Sequence, residues 1–415
     1  MTVPPRTPAR SPLRTRRTLA VAAALAAAAL GGAVAASTAT ARDGARPHDA
    51  PAQSAKLLAR QVLPAATFGE PVPSGAGIET ANGVAVPFAA QPVQGFSGNL
   101  VQPDGSYLVL SDNGYGTKAN SGDFLLAVHR LVDAGDGSLE VAPGGFTLSD
   151  PHHHVAWDLT REDRRLTGSD FDPESFRRAP DGTFWFGEEF GPYLLHTDAA
   201  GRLLEAPVPL PGVQSPDNPE RGAAAPNLGS SKGFEGMAQS ADGRYLFPLL
   251  EGPVTGDDPQ DLRVMRYDTV QHRYRGEAFT YRLESPKNAI GDLTRVDDHR
   301  FLVLERDNGQ GATAVFKAVF LVDTRVTDAT GHPRKTQLVN LMAVPDPDGV
   351  AGELSAASGF LTFPFTTIES VDVTGEHTIV VGNDNNFPFS AGRTEGAPDA
   401  NEFLTIEVQA DLSAH

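Results

Sequence analysis

The chain has 415 residues, with 52 acidic and 34 basic side chains and no cysteine. The absence of cysteine excludes disulfides, thiolate nucleophiles, zinc–thiolate sites and iron–sulfur clusters. The first 41 residues carry five arginines and no acid, so the rest of the chain holds 29 basic and 52 acidic side chains, a net charge of −23. A field of this sign repels nucleic acids and anionic membrane surfaces and favours cations, and we expect no nucleic-acid partner.

The N-terminal segment has the pattern of an export signal. Arg16 and Arg17 precede an alanine-rich apolar run, and Ala39-Thr40-Ala41 supplies the small residues of a cleavage site. Residues 1–41 are therefore predicted to be a signal peptide, of the twin-arginine type because of the arginine pair; an uncleaved membrane anchor is the alternative. We expect a secreted or cell-envelope protein with no membrane-spanning segment after cleavage. Residues 42–75, rich in alanine and proline, predict a flexible arm.

One hairpin pattern recurs five times in the remaining chain. Its clearest pair of copies is Gly95-Phe96-Ser97-Gly98 with Asp104-Gly105, and Gly233-Phe234-Glu235-Gly236 with Asp242-Gly243. Asp-Gly between apolar runs is a strong hairpin signal, because glycine accepts the positive φ of such turns. Successive copies lie 57–77 residues apart, which suits four-stranded blades with long loops. The sequence therefore predicts an all-β protein with a single β-propeller over residues 76–415; six blades are favoured, and five or seven also fit the length.

The repeats place acidic residues at equivalent positions near the start of the first strand and the end of the second. In an antiparallel hairpin these two positions face each other, and in a propeller the equivalent strand ends meet at one mouth of the central channel. Simple capping of turns by these acids is the alternative. The predicted metal ligands are Asp112, Glu174, Glu188, Glu235, Asp292, Asp307, Glu369 and Asp384.

Several carboxylates at one mouth favour a bound cation, because like charges raise one another's pKa. Calcium accepts 6–8 oxygen ligands in loose geometry, so calcium is the predicted cofactor, with magnesium or manganese as less favoured choices. Lys232 and Arg306 lie beside these acids in sequence and would bind an anionic group of the substrate, although ordinary salt bridges are an alternative. Glu189 or Glu251 would take a proton from water, because neighbouring acids raise the pKa of such a group.

Several motifs resemble those of the phytase-like family, which is also described as having esterase-like activity. They are Ser-Asp-Asn-Gly (111–114), Asp-Pro-Glu-Ser (172–175), Gly-Glu-Glu-Phe-Gly-Pro-Tyr (187–193), Ser-Lys-Gly-Phe-Glu-Gly-Met (231–237) and Asn-Asp-Asn-Asn (383–386). The resemblance spans about residues 80–408 and implies an exported bacterial β-propeller related to phosphate-ester hydrolases. By motif it assigns Glu174, Glu188, Glu235 and Asp384 to a central acidic site. Ser175 stands where the family pattern has glycine, and Asn99 where an apolar residue usually follows Ser-Gly.

The sequence thus predicts a secreted, calcium-dependent ester hydrolase that acts on phosphomonoesters. We expect a small anionic ester as the substrate, and a monomer. Two alternatives from other classes stay open: a calcium-dependent carboxylesterase or lactonase that uses the same site, and a non-catalytic propeller that binds a polymer or a protein and is stabilised by calcium.

Overall fold

Five antiparallel sheets of four strands each make up most of the chain. The computed structural model describes residue 1 and residues 55–414. The first strand, β1 (Lys56–Leu63), belongs to the last sheet. Blade 1 consists of β2 (Phe96–Val101), β3 (Tyr107–Ser111), β4 (Ala127–Asp133) and β5 (Leu139–Thr147). Blade 2 consists of β6 (Pro173–Arg178), β7 (Phe184–Glu188), β8 (Tyr193–Thr197) and β9 (Val208–Pro209).

The later blades follow the same order of strands. Blade 3 consists of β10 (Phe234–Gln239), β11 (Tyr245–Leu250), β12 (Asp261–Asp268) and β13 (Arg273–Arg282). Blade 4 consists of β14 (Ala289–Arg295), β15 (Arg300–Arg306), β16 (Lys317–Thr327) and β17 (Pro333–Asn340), with a short 3₁₀ turn at Gly311–Thr313. A two-stranded sheet of β18 (Val344–Pro345) and β19 (Phe360–Leu361), separated by the one-turn helix α1 (Glu353–Ala356), comes before blade 5. Blade 5 consists of β20 (Thr367–Gly375), β21 (Thr378–Asp384), β22 (Asn401–Glu407) and β1.

The first strand of each blade is its inner strand, and the inner strands surround a central channel. Each inner strand contacts that of the next blade, and β20 contacts β2, so the ring of blades closes. The prediction of an all-β propeller is confirmed, with five blades in residues 55–414 rather than the favoured six. The five hairpin copies correspond one to one to the blades, and long connections such as residues 148–172 and 210–233 account for the extra chain length.

Blade 5 is completed by a strand from the other end of the chain. β1 pairs antiparallel with β22, with Lys56 opposite Glu407. Leu57 and Leu63 are buried, and this burial holds residues 56–63 in the propeller, although the sequence assigned them to the flexible arm. The predicted signal peptide and the arm up to residue 54 lie outside the described residues. In the part of the chain that is described, no helix is long and apolar enough to cross a membrane.

The apolar core lies between adjacent blades. Five buried clusters each join two neighbouring blades; for example, Trp185 and Leu194 of blade 2 pack with Phe234 and Leu246 of blade 3. Full burial of such a side chain stabilises the fold by about 1.5–3 kcal/mol. The blades are therefore held side by side, and the channel-facing edge of each inner strand is left for polar residues.

Candidate functional site

A β-bulge occurs at the same position of the inner hairpin in all five blades. The pairing between the first two strands skips one residue of the inner strand: Ser97, Glu174, Glu235, Gly291 and Glu369 in blades 1 to 5. A bulge puts two residues opposite one and turns the side chain to a new direction. Three of these five residues are glutamates, and their carboxylate oxygens lie within 4.8 Å of one another.

Two further groups of acids share residues with this central group. Glu189, Glu235 and Glu251 form one, and Asp172, Glu174 and Glu189 form the other, again with oxygens within 4.8 Å of one another. We call these six residues the acidic cluster: Asp172, Glu174, Glu189, Glu235, Glu251 and Glu369. All six are buried, with 2–7 % of their surface exposed. Three connected groups of this kind could hold a metal ion.

Burial and mutual repulsion perturb the titration of these acids. Burial, followed by the charges of neighbouring acids, raises the pKa of Glu174, Glu189 and Glu235 well above the usual range. Burial, and then the charge of Asp384, raises the pKa of Glu369 to about 8. Each of these shifts means that the ionised form is disfavoured unless a cation compensates it.

Arg306 lies among the glutamates of the cluster. Only 4 % of its surface is exposed, and its Nη2 lies 3.2 Å from Glu251 Oε1, 3.2 Å from Glu369 Oε1 and 3.6 Å from Glu235 Oε1. The ammonium group of Lys232 contacts the other oxygen of Glu251. Six carboxylates therefore have two described cations in contact with them, which leaves negative charge without compensation.

Two buried oxygens of the cluster, Glu189 Oε1 and Glu235 Oε1, accept no hydrogen bond from the described residues. A buried acceptor without a donor is costly, and carboxylate oxygens are the ligands that hard cations prefer. The residues present thus fit a hard metal ion.

Asp112 and Asp384 lie beside the acidic cluster at the ends of β3 and β21. Asp384 accepts hydrogen bonds from the Asn386 N–H and from Thr367 Oγ1, and burial raises its pKa to about 6. Asp112 accepts a hydrogen bond from the Gly114 N–H; burial, and then the charge of Asp384, raises its pKa well above the usual range. The charges of both predicted ligands interact with that of Glu369 in the cluster, but their oxygens belong to none of its three groups.

Glu188 and Asp307 are predicted ligands that lie outside the cluster because loops bind their carboxylates. The oxygens of Glu188 accept the N–H groups of Phe190 and Gly191 at 2.7 and 2.9 Å, so this side chain caps the turn after β7. Asp307 accepts the N–H groups of three loop residues and lies 3.0 Å from the ammonium of Lys317; the loop residues are Gly309, Val315 and Phe316. In both cases the loop after the second strand saturates the carboxylate.

Asp292 is outside the cluster because of the strand register. In blade 4 the bulged residue is Gly291, so Asp292 stands one position further along the strand. Its carboxylate pairs with Arg177 at 3.1 Å and accepts the Val371 N–H. It therefore links three inner strands at a deeper level of the channel.

Asp172 is a member of the cluster that sequence reasoning missed. Its carboxylate accepts hydrogen bonds from the amide and the backbone N–H of Asn113 and lies in one group with Glu174 and Glu189. The sequence did contain a signal for it, since Asp172 stands two residues before Glu174. The bulge at Glu174 brings the two carboxylates to the same mouth of the central channel. The two acids predicted to be catalytic, Glu189 and Glu251, are also members of the cluster.

The two departures from the family pattern make contacts between inner strands. Ser175 Oγ donates to the carbonyl of Phe234 at 3.3 Å, and Asn99 Nδ2 donates to Ser370 Oγ at 3.2 Å. Each bond crosses from one blade to the next. These polar residues therefore help to close the ring at the channel.

Comparison with known proteins finds one matching family and one curated relative. The profile of the family described as "Phytase-like: Esterase-like activity of phytase" matches residues 91–387. An "Uncharacterized secreted protein" of Arthroderma benhamiae is 25 % identical over 188 residues, which cover 35 % of this chain and 36 % of that protein. The match thus spans little more than a third of the length of that relative.

Likenesses to solved structures are distant and carry no argument about function. A protein of unknown function from Dyadobacter fermentans has a TM-score of 0.41 and 12 % identity, over 86 % of this chain and 100 % of that chain. A putative exo-β-1,3-galactanase from Bifidobacterium bifidum has a TM-score of 0.40 and 9 % identity, over 84 % and 99 % of the two chains. The match to the family profile, in contrast, covers more than half of the sequence and includes all six acids of the cluster, and the chain belongs to the phytase-like family.

Proposed function

We propose that this protein is a secreted, calcium-dependent ester hydrolase that acts on phosphomonoesters. The observation that carries the proposal is a cluster of six buried carboxylates in which Glu189 Oε1 and Glu235 Oε1 accept no hydrogen bond from any described residue. The description of the family, which names phytase, supports a phosphate ester as the substrate. The predicted signal peptide and a relative that is named a secreted protein support export.

Glu174, Glu235 and Glu369 are the residues that would hold the ion, because they stand at the same bulge of three blades and their oxygens lie within 4.8 Å of one another. Calcium suits them better than magnesium, since magnesium demands near-octahedral geometry and usually retains several waters, whereas calcium accepts many carboxylate oxygens in loose geometry. The bound ion would supply charge neutralisation for the phosphate group and would orient a water molecule.

The two cations of the site have different roles. The side chain of Lys232 is 40 % exposed, so its ammonium can reach a phosphate oxygen as a compact charge. Arg306 is buried and its Nη2 is shared by three glutamates. Its role is therefore to position the carboxylates rather than to contact the substrate.

Glu189 is better placed than Glu251 to accept a proton from water. Both oxygens of Glu251 are occupied, one by Lys232 and the other by Arg306. Glu189 Oε1 accepts no hydrogen bond from any described residue, so this oxygen is free to accept a proton from water.

Hydrolysis of p-nitrophenyl phosphate and p-nitrophenyl acetate, with added calcium and with a chelator, tests the proposal. We expect release of nitrophenol from the phosphate ester that depends on calcium. Glu174→Gln and Glu235→Gln should each lower this rate at least about tenfold, since changes even to the outer ligand sphere of a metal cost that much. Glu353→Gln is the matched control, because this exposed glutamate in α1 lies outside the cluster.

The other outcomes separate the alternatives. Hydrolysis of the acetate ester alone would replace the proposal with a calcium-dependent carboxylesterase or lactonase. No turnover of either ester, together with a lower unfolding temperature in chelator, would identify a non-catalytic propeller that calcium stabilises. Full phosphatase activity in both glutamine variants would show that the acidic cluster is not the catalytic site.

A further inference from the structure

Lys118 is a third cation at the mouth of the acidic cluster, in the loop that follows β3. This loop begins beside the cluster, because the side-chain amide and the backbone N–H of Asn113 both donate to Asp172. Further along the loop, the ammonium nitrogen of Lys118 lies 4.4 Å from the centre of the Phe190 ring. Phe190 directly follows Glu189, another member of the cluster. Lys118 is therefore held next to groups that belong to the proposed metal site.

The ammonium group of Lys118 has donors without an acceptor. Its one hydrogen-bond partner among the described residues is the backbone carbonyl of Asp217, at 2.7 Å. An ammonium group has three donors, so two of them remain unused. The buried ammonium of Lys317, in contrast, donates to three backbone carbonyls at 2.7–3.0 Å. Lys118 is half-buried rather than enclosed, so a bound molecule can supply the missing acceptors.

Lys118 also differs from the other two cations of the site in having no carboxylate in contact with it. The ammonium group of Lys232 contacts Glu251, and the guanidinium of Arg306 is shared by three glutamates. In residues 55–414, no ion pair includes Lys118. Its charge and its donors are therefore not used within the described protein.

The acids closest to Lys118 electrostatically are bound by other donors. Burial lowers the pKa of Lys118, and the charges of four acids oppose this change: Glu188, Asp217, Asp170 and Asp172. Their carboxylates accept hydrogen bonds from backbone N–H groups at Glu188, from an asparagine at Asp172, from two threonines at Asp170 and from a serine at Asp217. The four acids thus favour the charged form of Lys118 without occupying its donors.

We propose that Lys118 binds the anionic group of the substrate, as a second lysine beside Lys232. This inference rests on the proposed function, since it takes a phosphate oxygen as the acceptor and calcium as the ion in the acidic cluster. Charge-assisted hydrogen bonds from an ammonium group to phosphate are strong, and the cation–π contact with Phe190 holds the ammonium in place. The bond forms with the bound ester as well as in the transition state, so its effect is on substrate binding.

Titration of the calcium-loaded protein with inorganic phosphate, by calorimetry, tests this assignment without the need for turnover. We expect saturable binding that Lys118→Met weakens at least about tenfold. Lys118→Arg, which keeps the charge, should bind phosphate more tightly than Lys118→Met. Lys56→Met is the matched control, because this lysine lies in the outermost strand of blade 5 and pairs with Asp348 at 2.7 Å; its phosphate affinity should equal that of the unchanged protein.

Calcium titration distinguishes a ligand of the substrate from a residue that only supports the site. Lys118→Met removes a positive charge from beside the acids, so it should not weaken the binding of calcium. The assignment is overturned if the unchanged protein shows no saturable phosphate binding, or if Lys118→Met binds phosphate with the same affinity. A parallel loss of calcium affinity in Lys118→Met would also overturn it, because Lys118 would then act on the metal site as a whole.

Kinetics with p-nitrophenyl phosphate separates this assignment from the proposed function. Lys118→Met should raise KM at least about tenfold and change kcat little, as expected for a bond made equally in the ground state and the transition state. Calcium-dependent turnover with an unchanged KM in this variant would overturn the assignment and leave the proposed function intact. Phosphate binding that depends on Lys118, without turnover of the ester, would instead refute the hydrolytic function and leave Lys118 as a phosphate-binding residue.

Discussion

Replacement of Arg306 by methionine tests whether the acidic cluster depends on compensating cations. The guanidinium of Arg306 is the positive group that Glu235, Glu251 and Glu369 share, at distances of 3.2–3.6 Å. Methionine keeps an unbranched apolar side chain in the same place but removes the charge. The carboxylates of Glu235 and Glu369 then lose the described cation that contacts them, and Glu251 keeps only its contact with Lys232.

The size of the effect follows from the burial of these groups. Removal of one partner of a buried ion pair typically costs about 3–5 kcal/mol. We therefore expect the free energy of unfolding of metal-free Arg306→Met to fall by at least about 3 kcal/mol near pH 8. The loss should be smaller near pH 5, because Glu235 and Glu369, whose pKa values are raised, can then be neutralised by protons. Added calcium should recover part of the loss, since it supplies the missing positive charge.

Urea unfolding in chelator and in calcium measures this difference. The control is Arg325→Met: this arginine lies 3.0 Å from Asp323, but its side chain is 54 % exposed, and such surface pairs contribute about 0–1 kcal/mol. A loss in Arg306→Met no larger than that in Arg325→Met would refute the reasoning. The same loss with and without calcium would show that the cluster does not take up the ion.

Three further predictions concern the fold and the titration of the site. Leu57→Ala should lower the free energy of unfolding by about 2–5 kcal/mol, because Leu57 is fully buried in the strand that completes blade 5; Leu58→Ala, at a position 40 % exposed, should change it little, and equal effects would mean that β1 does not pair as described. Asp307→Asn should destabilise the protein in urea but leave its calcium affinity unchanged, since the loop N–H groups and Lys317 occupy this carboxylate; a loss of calcium affinity would mean that Asp307 binds the ion. In metal-free protein, burial raises the pKa of Glu369 to about 8 and that of Asp384 to about 6. The contribution of these two groups to stability is therefore full below their pKa values in the unfolded chain, about 4, and is lost as the pH rises through their pKa values in the folded protein. The unfolding temperature in chelator should fall between about pH 5 and pH 8, and a rise over that range would contradict the raised pKa values.

The turns of the propeller could be read from the sequence because their chemistry is local. Asp-Gly pairs such as Asp104-Gly105 and Asp242-Gly243 form the turns of the inner hairpins, with φ values of 81° and 71° at the two glycines. The number of blades was harder to predict, because long connections such as residues 148–172 add length without adding strands. β1 was missed because its partner, β22, lies more than 300 residues away in sequence.

The acidic site was predicted in part for the same reasons. The spacing of the repeats correctly grouped Glu174, Glu235 and Glu369, since each stands at the same bulge of its blade. In blade 4 the spacing predicted Asp292 at this position, but the bulged residue is Gly291. A bulge shifts the register by one residue, and the pattern of polar and apolar residues does not show this shift. Glu188 and Asp307 lie outside the cluster because loop N–H groups bind their carboxylates, and a hairpin repeat contains no information about such loops.

Calcium titration of chelator-treated protein by calorimetry is the most direct test of the central claim, that the acidic cluster binds a hard cation. We expect saturable binding that Glu235→Gln weakens at least about tenfold and that Glu353→Gln leaves unchanged. The absence of saturable binding in the unchanged protein, or equal affinity in Glu235→Gln, would contradict the account.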